Sequence, residues 1–346
     1  MKRKIATILS NPWSHRALVL IIFIIIMSVF NPRFFLPANL RSILLAISIY
    51  GIMACGMLFV IIIGGIDFCI GSTAAMAGCV MTRIVINYEY SAWGFILGLL
   101  AAMLLCVLLG LFHGTEIAFC NLPPFVITLA TKLLVFGAMY IFTGGSYILP
   151  APGGAFYMIS NARLFGIPSP VIWLVVFTVI TALVLSYTTF GRKIYVAGGN
   201  RAASELVGIN TKRYTLVAFV ICSITAGIGG ILLSSLNTQV YSSTASGYEG
   251  RVLTAMVVGG VDLAGGGGGI PGVMFGALFV GILNNAMTLL DVSTDYQGFV
   301  QGVVIIAAIA LNVITQQRSA KMLNTDKKRE RKEMVKRTPE DSPPMQ

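Results

Sequence analysis

Residues 58–71 read LFVIIIGGIDFCIG, an apolar run that ends in two glycines and then a carboxylate, Asp67. A charged side chain within hydrocarbon costs roughly 2.5 to 3.5 kcal/mol on insertion scales, so this position demands a helix break, a water-lined surface or a membrane face. The arrangement returns at residues 259–266, GGVDLAGG, behind another apolar run and with Asp262 in the place of Asp67. Two such elements in corresponding places describe a chain made of two pseudo-repeated halves, each with a broken or re-entrant helix.

The composition fixes the solvent in which those halves fold. Of 346 residues, 56% are hydrophobic and 11% charged, more apolar surface than one soluble core can bury. Runs such as Leu20-Ile21-Ile22-Phe23-Ile24-Ile25-Ile26 are apolar on every face, which excludes the alternating pattern of a β-barrel. The expected fold is therefore an all-α, polytopic transmembrane helical bundle. Apolar segments near 17–30, 42–63, 70–86, 92–111, 123–143, 170–187, 214–236, 251–264, 270–290 and 298–316 predict about ten membrane segments. The eighth is too short to cross and reads as the broken one. Residues 1–317 form one transmembrane domain on this reading.

The net charge of +11 is distributed as a membrane protein's, with no base-reading module that would point to nucleic acid. Basic residues gather at Lys2, Arg3, Lys4 and Arg16, between Arg192 and Arg213, and from Arg318 onward, where nine Lys/Arg face five Asp/Glu. Ten crossings put all three regions on one side, and the positive-inside bias makes that side cytoplasmic, with both termini there. The tail 318–346 is charged, Pro-containing and expected to be disordered. The apolar stretch after the basic start lacks a small-residue cleavage site and reads as a retained first span. A Gly/Pro-rich outside loop at 145–170 is either a partner surface or a connector.

Catalytic chemistry finds no support. His15 and His113 are far apart, the six cysteines have no paired or metal-ligand spacing, and neither Gly-x-Ser-x-Gly nor His-Glu-x-x-His occurs. Gly265–Gly269 with Gly272 contains a formal G-x-G-x-x-G, but no βαβ context surrounds it and no Gly-Lys-Ser/Thr triplet exists, so the run reads as a hinge with Pro271 opening the next helix. No metal, cofactor or ATPase of the chain's own is expected. Gly272 with Gly276, and Gly94 with Gly98, have the spacing of close helix approach.

Polar residues in the apolar segments are the site candidates: Asp67, His113, Thr128, Lys132, Asp262, Asn284 and Asn285. For Asp67 two roles stay open, capping of the Cys69 and Ile70 amides or contact with a solute or proton. For the asparagines, pathway contact competes with helix-to-helix hydrogen bonding. On the basic side, Asn200 is positioned to cap a short helix beginning at Arg201, with Leu206-Val207 as an apolar edge and Gly208 as the stop. A short amphipathic helix at the membrane face suits docking into a partner's groove.

That loop, GRKIYVAGGNRAASELVGINTKRY, resembles the coupling loop (about 191–213) of ribose/xylose-type sugar permeases of bacterial ABC importers. GGIDFCIGS at 64–72, LPPFVITLAT at 122–131 and GGVDLAGGGGGIPGVMFGALFVGILNNAM at 259–287 share the resemblance, which spans nearly the whole chain except the tail. It implies an inner-membrane permease subunit that passes a monosaccharide or similar small polar solute. It also implies a second permease chain, cytoplasmic ATP-binding subunits and a periplasmic solute-binding protein as partners. Asn200, Ala203, Glu205 and Gly208 would then couple to the ATPase. His113, Lys132, Arg251 and the pair Val261-Asp262 depart from the family's usual pattern near the expected pathway, and Arg251 and Asp262 are candidates to pair with each other. The competing expectation is a proton- or sodium-coupled secondary transporter, which paired helix breaks also suit.

Overall fold

A computed structural model of the chain describes residues 12–310 apart from 238, 294 and 295; the basic start and the tail 318–346 lie outside them. The helices are α1 (Pro12–Phe30), α2 (Pro37–Ile62), α3 (Ile70–Asn87), α4 (Ala92–Ala118), α5 (Pro124–Thr143), α6 (Gly154–Asn161), α7 (Ser169–Tyr187), α8 (Thr189–Gly199), α9 (Arg201–Leu206), α10 (Thr211–Leu236), α11 (Tyr248–Val258) and α12 (Ile270–Leu289). A further apolar helix, α13, covers Tyr296–Ala310. Each of the ten predicted segments overlaps one of these helices, and residues 311–316 of the last lie outside the described residues. Seven of them, α2, α3, α4, α5, α7, α10 and α12, are long and apolar enough to cross a bilayer. The chain is thus an all-α polytopic bundle, as hydrocarbon requires: helices satisfy their backbone N–H and C=O groups internally.

Local sequence sets the helix starts. Proline in the first turn opens α2, α5, α7 and α12, where a missing N–H costs nothing. Ser91 caps α4 by accepting from the Gly94 amide at 3.1 Å, and Asn210 caps α10 by accepting from the Arg213 amide at 3.2 Å.

Side-chain size then sorts the helices into layers. In α2, α3 and α10 the apolar windows are 89%, 78% and 67% buried, against 22%, 22% and 17% in α4, α5 and α7. The outer helices turn Leu104, Leu108, Leu133, Leu134, Val175 and Leu183 outward, because lipid tails solvate such side chains as well as a core does. The inner ones carry small residues. Around α10, a Cβ at Gly56 of α2 would meet Thr225 and the Cys222 backbone, one at Gly78 of α3 would meet Ser234 and the Gly230 carbonyl, and one at Gly110 of α4 would meet the Val220 backbone. Three helices thus approach α10 to backbone contact. Gly272 and Gly276 do the same for α12 against α11, meeting Gly259 and Ala255.

The predicted outside loop is more ordered than its composition suggested. It holds α6, fixed to the end of α10 by the Ser160 hydroxyl donating to the Leu232 carbonyl at 2.9 Å and the Ser235 hydroxyl donating to the Phe156 carbonyl at 2.6 Å. Residues 163–164 and 167–168 pair as a short antiparallel turn, and Ile148 bridges Val240.

Close packing at α10 makes a clear forecast. Gly230→Val drives two methyl groups into the Ala74 backbone of α3 and should destabilise by about 1–3 kcal/mol. Gly137→Ala, at a site with open space around it, should stabilise by about 0.5–1 kcal/mol through helix propensity. Thermal unfolding of the purified protein in detergent checks both.

Candidate functional site

The two Gly-Gly-x-Asp elements fold alike. After α2, the Gly64 amide donates to the Ile61 carbonyl at 2.9 Å and the Gly65 amide to the Val60 carbonyl at 2.8 Å. After α11, the Gly260 amide donates to Val257 and the Val261 amide to Met256, both at 3.0 Å. This is the glycine-terminated helix stop, and Gly64 and Gly260 occupy its left-handed position with φ of 88° and 73°. The structural match therefore pairs Gly64 with Gly260, one residue off the sequence alignment. Beyond each stop the aspartate closes a turn: Asp67 Oδ1 accepts from the Cys69 amide at 2.8 Å, and Asp262 Oδ1 accepts from the Ala264 amide at 3.0 Å. The expected Asp67 bond to Ile70 is not among its contacts. Its carboxylate holds the entry turn rather than the first turn of α3, because the helix begins three residues after it.

The two breaks touch. The Gly266 amide donates to the Ile62 carbonyl at 2.8 Å, and Cβ atoms at Gly265 or Gly198 would strike Gly64 and Ile62 respectively. Gly198 ends α8, and the Tyr195 hydroxyl of the same helix donates to the Gly268 carbonyl at 2.7 Å. The end of α2, the glycine run before α12 and the helix that leads into α9 thus meet at one backbone junction. Sequence reading treated Gly265–Gly269 as a hinge alone and missed Tyr195 and Gly198, since only the tertiary fold brings the three segments together.

At the predicted coupling loop, Asn200 Oδ1 accepts from the Ala203 amide at 3.0 Å, so Asn200 caps α9. Gly208 takes a φ of 79° at the stop. Glu205 does not reach outward alone: Thr211 donates to its Oε1 at 2.5 Å and Arg201 pairs with it at 3.4 Å. The Thr211 hydroxyl, followed by the Arg201 guanidinium, holds the Glu205 carboxyl below its ordinary range. Leu206 and Val207 are 88% and 72% exposed beside it.

The remaining candidates divide. Thr128 joins α5 to the first break, accepting from the Phe68 amide at 3.1 Å and donating to the Pro124 carbonyl at 2.8 Å. His113 is fully buried with its ring edge-on to Phe219, and both ring nitrogens lack a hydrogen-bond partner among the described residues. Asn285 and Asn39 exchange hydrogen bonds of 2.7 and 3.0 Å between α12 and α2. Asn284 accepts from Gln301 of α13 at 2.7 Å. The asparagines hence take the helix-joining role. Arg251 lies over the Tyr248 and Tyr50 rings and donates to the Tyr50 hydroxyl at 3.1 Å. Lys132, near the middle of α5, pairs with Glu249 of α11 at 2.5 Å. Glu249 was not singled out, although a lysine in one apolar span and an acid opening another need a common partner.

Two broken helices that meet at one backbone junction within a bundle of long apolar helices make this a polytopic membrane protein. The chain belongs to the family described as branched-chain amino acid transport system / permease component, whose pattern matches residues 39–309. It is 35% identical over 299 residues to the ribose import permease protein RbsC of Escherichia coli (strain K12), covering 85% of this chain and 92% of that protein. It is 37% identical over 299 residues to the L-arabinose transport system permease protein AraH of the same strain, covering 86% and 90%. Identity to its D-allose transport system permease protein AlsC is 30% over 301 residues, covering 85% and 89%. No solved structure matches. These relatives make the chain a translocation subunit of an ABC importer and set aside the ion-coupled alternative.

Replacing either aspartate by alanine should cost about 1–3 kcal/mol, the range for a hydrogen bond to a charged group. Asp67→Asn and Asp262→Asn keep an Oδ1 acceptor and should unfold close to wild type. Thermal unfolding of the four variants in one detergent compares them.

Proposed function

We propose that this chain carries a monosaccharide across the bacterial inner membrane, with Asn200, Ala203, Glu205 and Gly208 shaping the surface that receives a cytoplasmic ATP-binding subunit. The observation that carries the reading is α9. An Asn200-capped helix presents Leu206 and Val207 almost fully to solvent while Glu205 ties its end back to Thr211 of α10. Exposed apolar side chains on a rigid, capped turn suit a groove in a partner. The names of the curated relatives supply the substrate class, and a second permease chain and a periplasmic binding protein complete the assembly. Residues 1–317 serve as the membrane domain, 318–346 as a cytoplasmic tail, and both termini face the cytoplasm.

Motion of α9 has a short route into the membrane. It passes along α8 to Gly198, which abuts the Ile62 carbonyl, and through Tyr195 to the Gly268 carbonyl. A push on the coupling helix therefore bears on both breaks at once. Backbone-to-backbone contact leaves little slack, so displacement is passed on instead of absorbed.

Leu206→Asp with Val207→Asp should leave membrane insertion intact and abolish co-purification of the ATP-binding subunit with the tagged chain. Gly198→Val should keep the docking and lose solute-stimulated ATP hydrolysis. Uptake of radiolabelled D-ribose, L-arabinose, D-allose and L-leucine by cells expressing the chain tests the substrate class; saturable uptake of leucine alone would replace the sugar reading with an amino-acid one. Acid should weaken the Glu205–Thr211 tie. A carboxyl held low contributes fully above its unfolded pKa and loses that contribution as pH falls through its depressed folded value. Protection factors of the α9 amides, corrected for the intrinsic exchange rate at each pH, should therefore fall in acid, and Glu205→Gln should flatten that fall.

A further inference from the structure

A cavity of about 200 Å³ opens between α3, α5 and the segment leading into α11, lined by Gly71, Ser72, Lys132, Phe136, the serines at 242, 243 and 246, and Glu249, with the outward-facing Leu133 at its rim. Lys132 sits eight residues into the 20-residue α5, about 12 Å along its axis, so the cavity lies near mid-bilayer. Among the described residues Lys132 and Glu249 form the one ion pair within the spans. Glu249 is 8% exposed, and only its Oε1 is used; Oε2 is buried without a hydrogen-bond partner and points at Gly71.

We infer that this cavity is the chain's solute-binding site on the translocation route, and that its ligand is a single neutral polyhydroxylated ring. The inference rests on the importer reading above and adds the residues that touch the solute. The charge is balanced, so an anion or a cation would meet an opposing group. Oε2 of Glu249 is a strong acceptor in want of a hydroxyl, the Lys132 ammonium has two N–H groups beyond the one donated to Glu249, and the serines both donate and accept. Phe136 supplies an apolar edge for the C–H face of a ring. At about 200 Å³ the space falls below the roughly 300–1,000 Å³ of drug-sized pockets, which limits it to one small ring. A charged pair joining two helices as a mere brace would need no cavity beside it. Gly71 keeps the space open, since a Cβ there would collide with Oε2 and the Ala245 carbonyl.

The test replaces the chromosomal copy in the host with three variants: Lys132→Gln with Glu249→Gln, Ser242→Ala with Ser243→Ala, and Gly71→Ala. Uptake of radiolabelled D-ribose, L-arabinose and D-allose is measured, along with co-purification of the ATP-binding subunit and its basal ATP hydrolysis. The neutral double variant removes the ion pair without leaving a lone charge, so a structural brace would tolerate it. The expected result is co-purification and basal hydrolysis within twofold of wild type in all three, with uptake reduced at least tenfold in the first and third. The serine variant should raise the half-saturating sugar concentration at least threefold. Wild-type uptake of a sugar that persists unchanged in the neutral double and Gly71→Ala variants overturns the cavity assignment and leaves the importer reading standing. Wild-type uptake of none of the sugars overturns the sugar reading and the ligand class with it. If the double variant fails to reach the membrane, the serine and glycine variants decide, and normal uptake in both overturns the assignment.

Discussion

The structure depends on one constraint: no backbone N–H or C=O can be left bare in hydrocarbon. Seven residues between α2 and α3 and eleven between α11 and α12 would violate it unless the fold provides partners. It provides three. The glycine-terminated stops return amides to the last carbonyls, the aspartates accept from amides beyond the stops, and the second break finds a partner at the first, where the Gly266 amide donates to the Ile62 carbonyl. A backbone hydrogen bond thus ties the two halves together.

From that constraint follows the shape of the interior. Broken segments must be shielded by protein, so the helices around them carry glycine, serine and alanine and come to backbone contact along α10. Large aliphatic residues are displaced to α4, α5 and α7, where lipid takes them. Shielding also concentrates the polar side chains. Asp67 lies in the first break, His113 on the side of α4 that faces Phe219 of α10, Thr128 and Lys132 on α5 and Glu249 on α11, and each that has a hydrogen-bond partner finds it across a helix boundary or in a turn. Exchange of those partners is a way for the bundle to hold two arrangements, since packed interiors shift between discrete states and do not deform smoothly.

On the proposed reading, α9 and the ion pair are linked through few elements. Helix α8 joins α9 to the junction of Gly198, Ile62 and Gly266, residues 259–265 connect that junction to the end of α11, and α11 leads to Glu249. Stiffness along this path comes from a helix and from glycine contacts that leave no room for rotamer adjustment.

Much of this was legible in the residues. The bundle, its ten apolar segments, the two breaks and the capped helix at Asn200 follow from hydropathy, glycine pairs and cap residues, all local signals that neighbours in sequence carry. The close approach of Gly272 and Gly276 was readable for the same reason. What could not be read were the pairings. Arg251 rests on two tyrosines, one of them 201 positions away. Glu249 and Lys132 stand 117 positions apart, and the meeting of Gly64, Gly198 and Gly266 joins three segments that no periodicity links. The sequence alone determined which stretches lie in lipid and where they break, since those are properties of a segment and its solvent. Which carboxylate faces which cation, and which turn rests on which, was decided only by the tertiary structure, because the packing of small residues at α10 sets the distances between helices that the chain order leaves open.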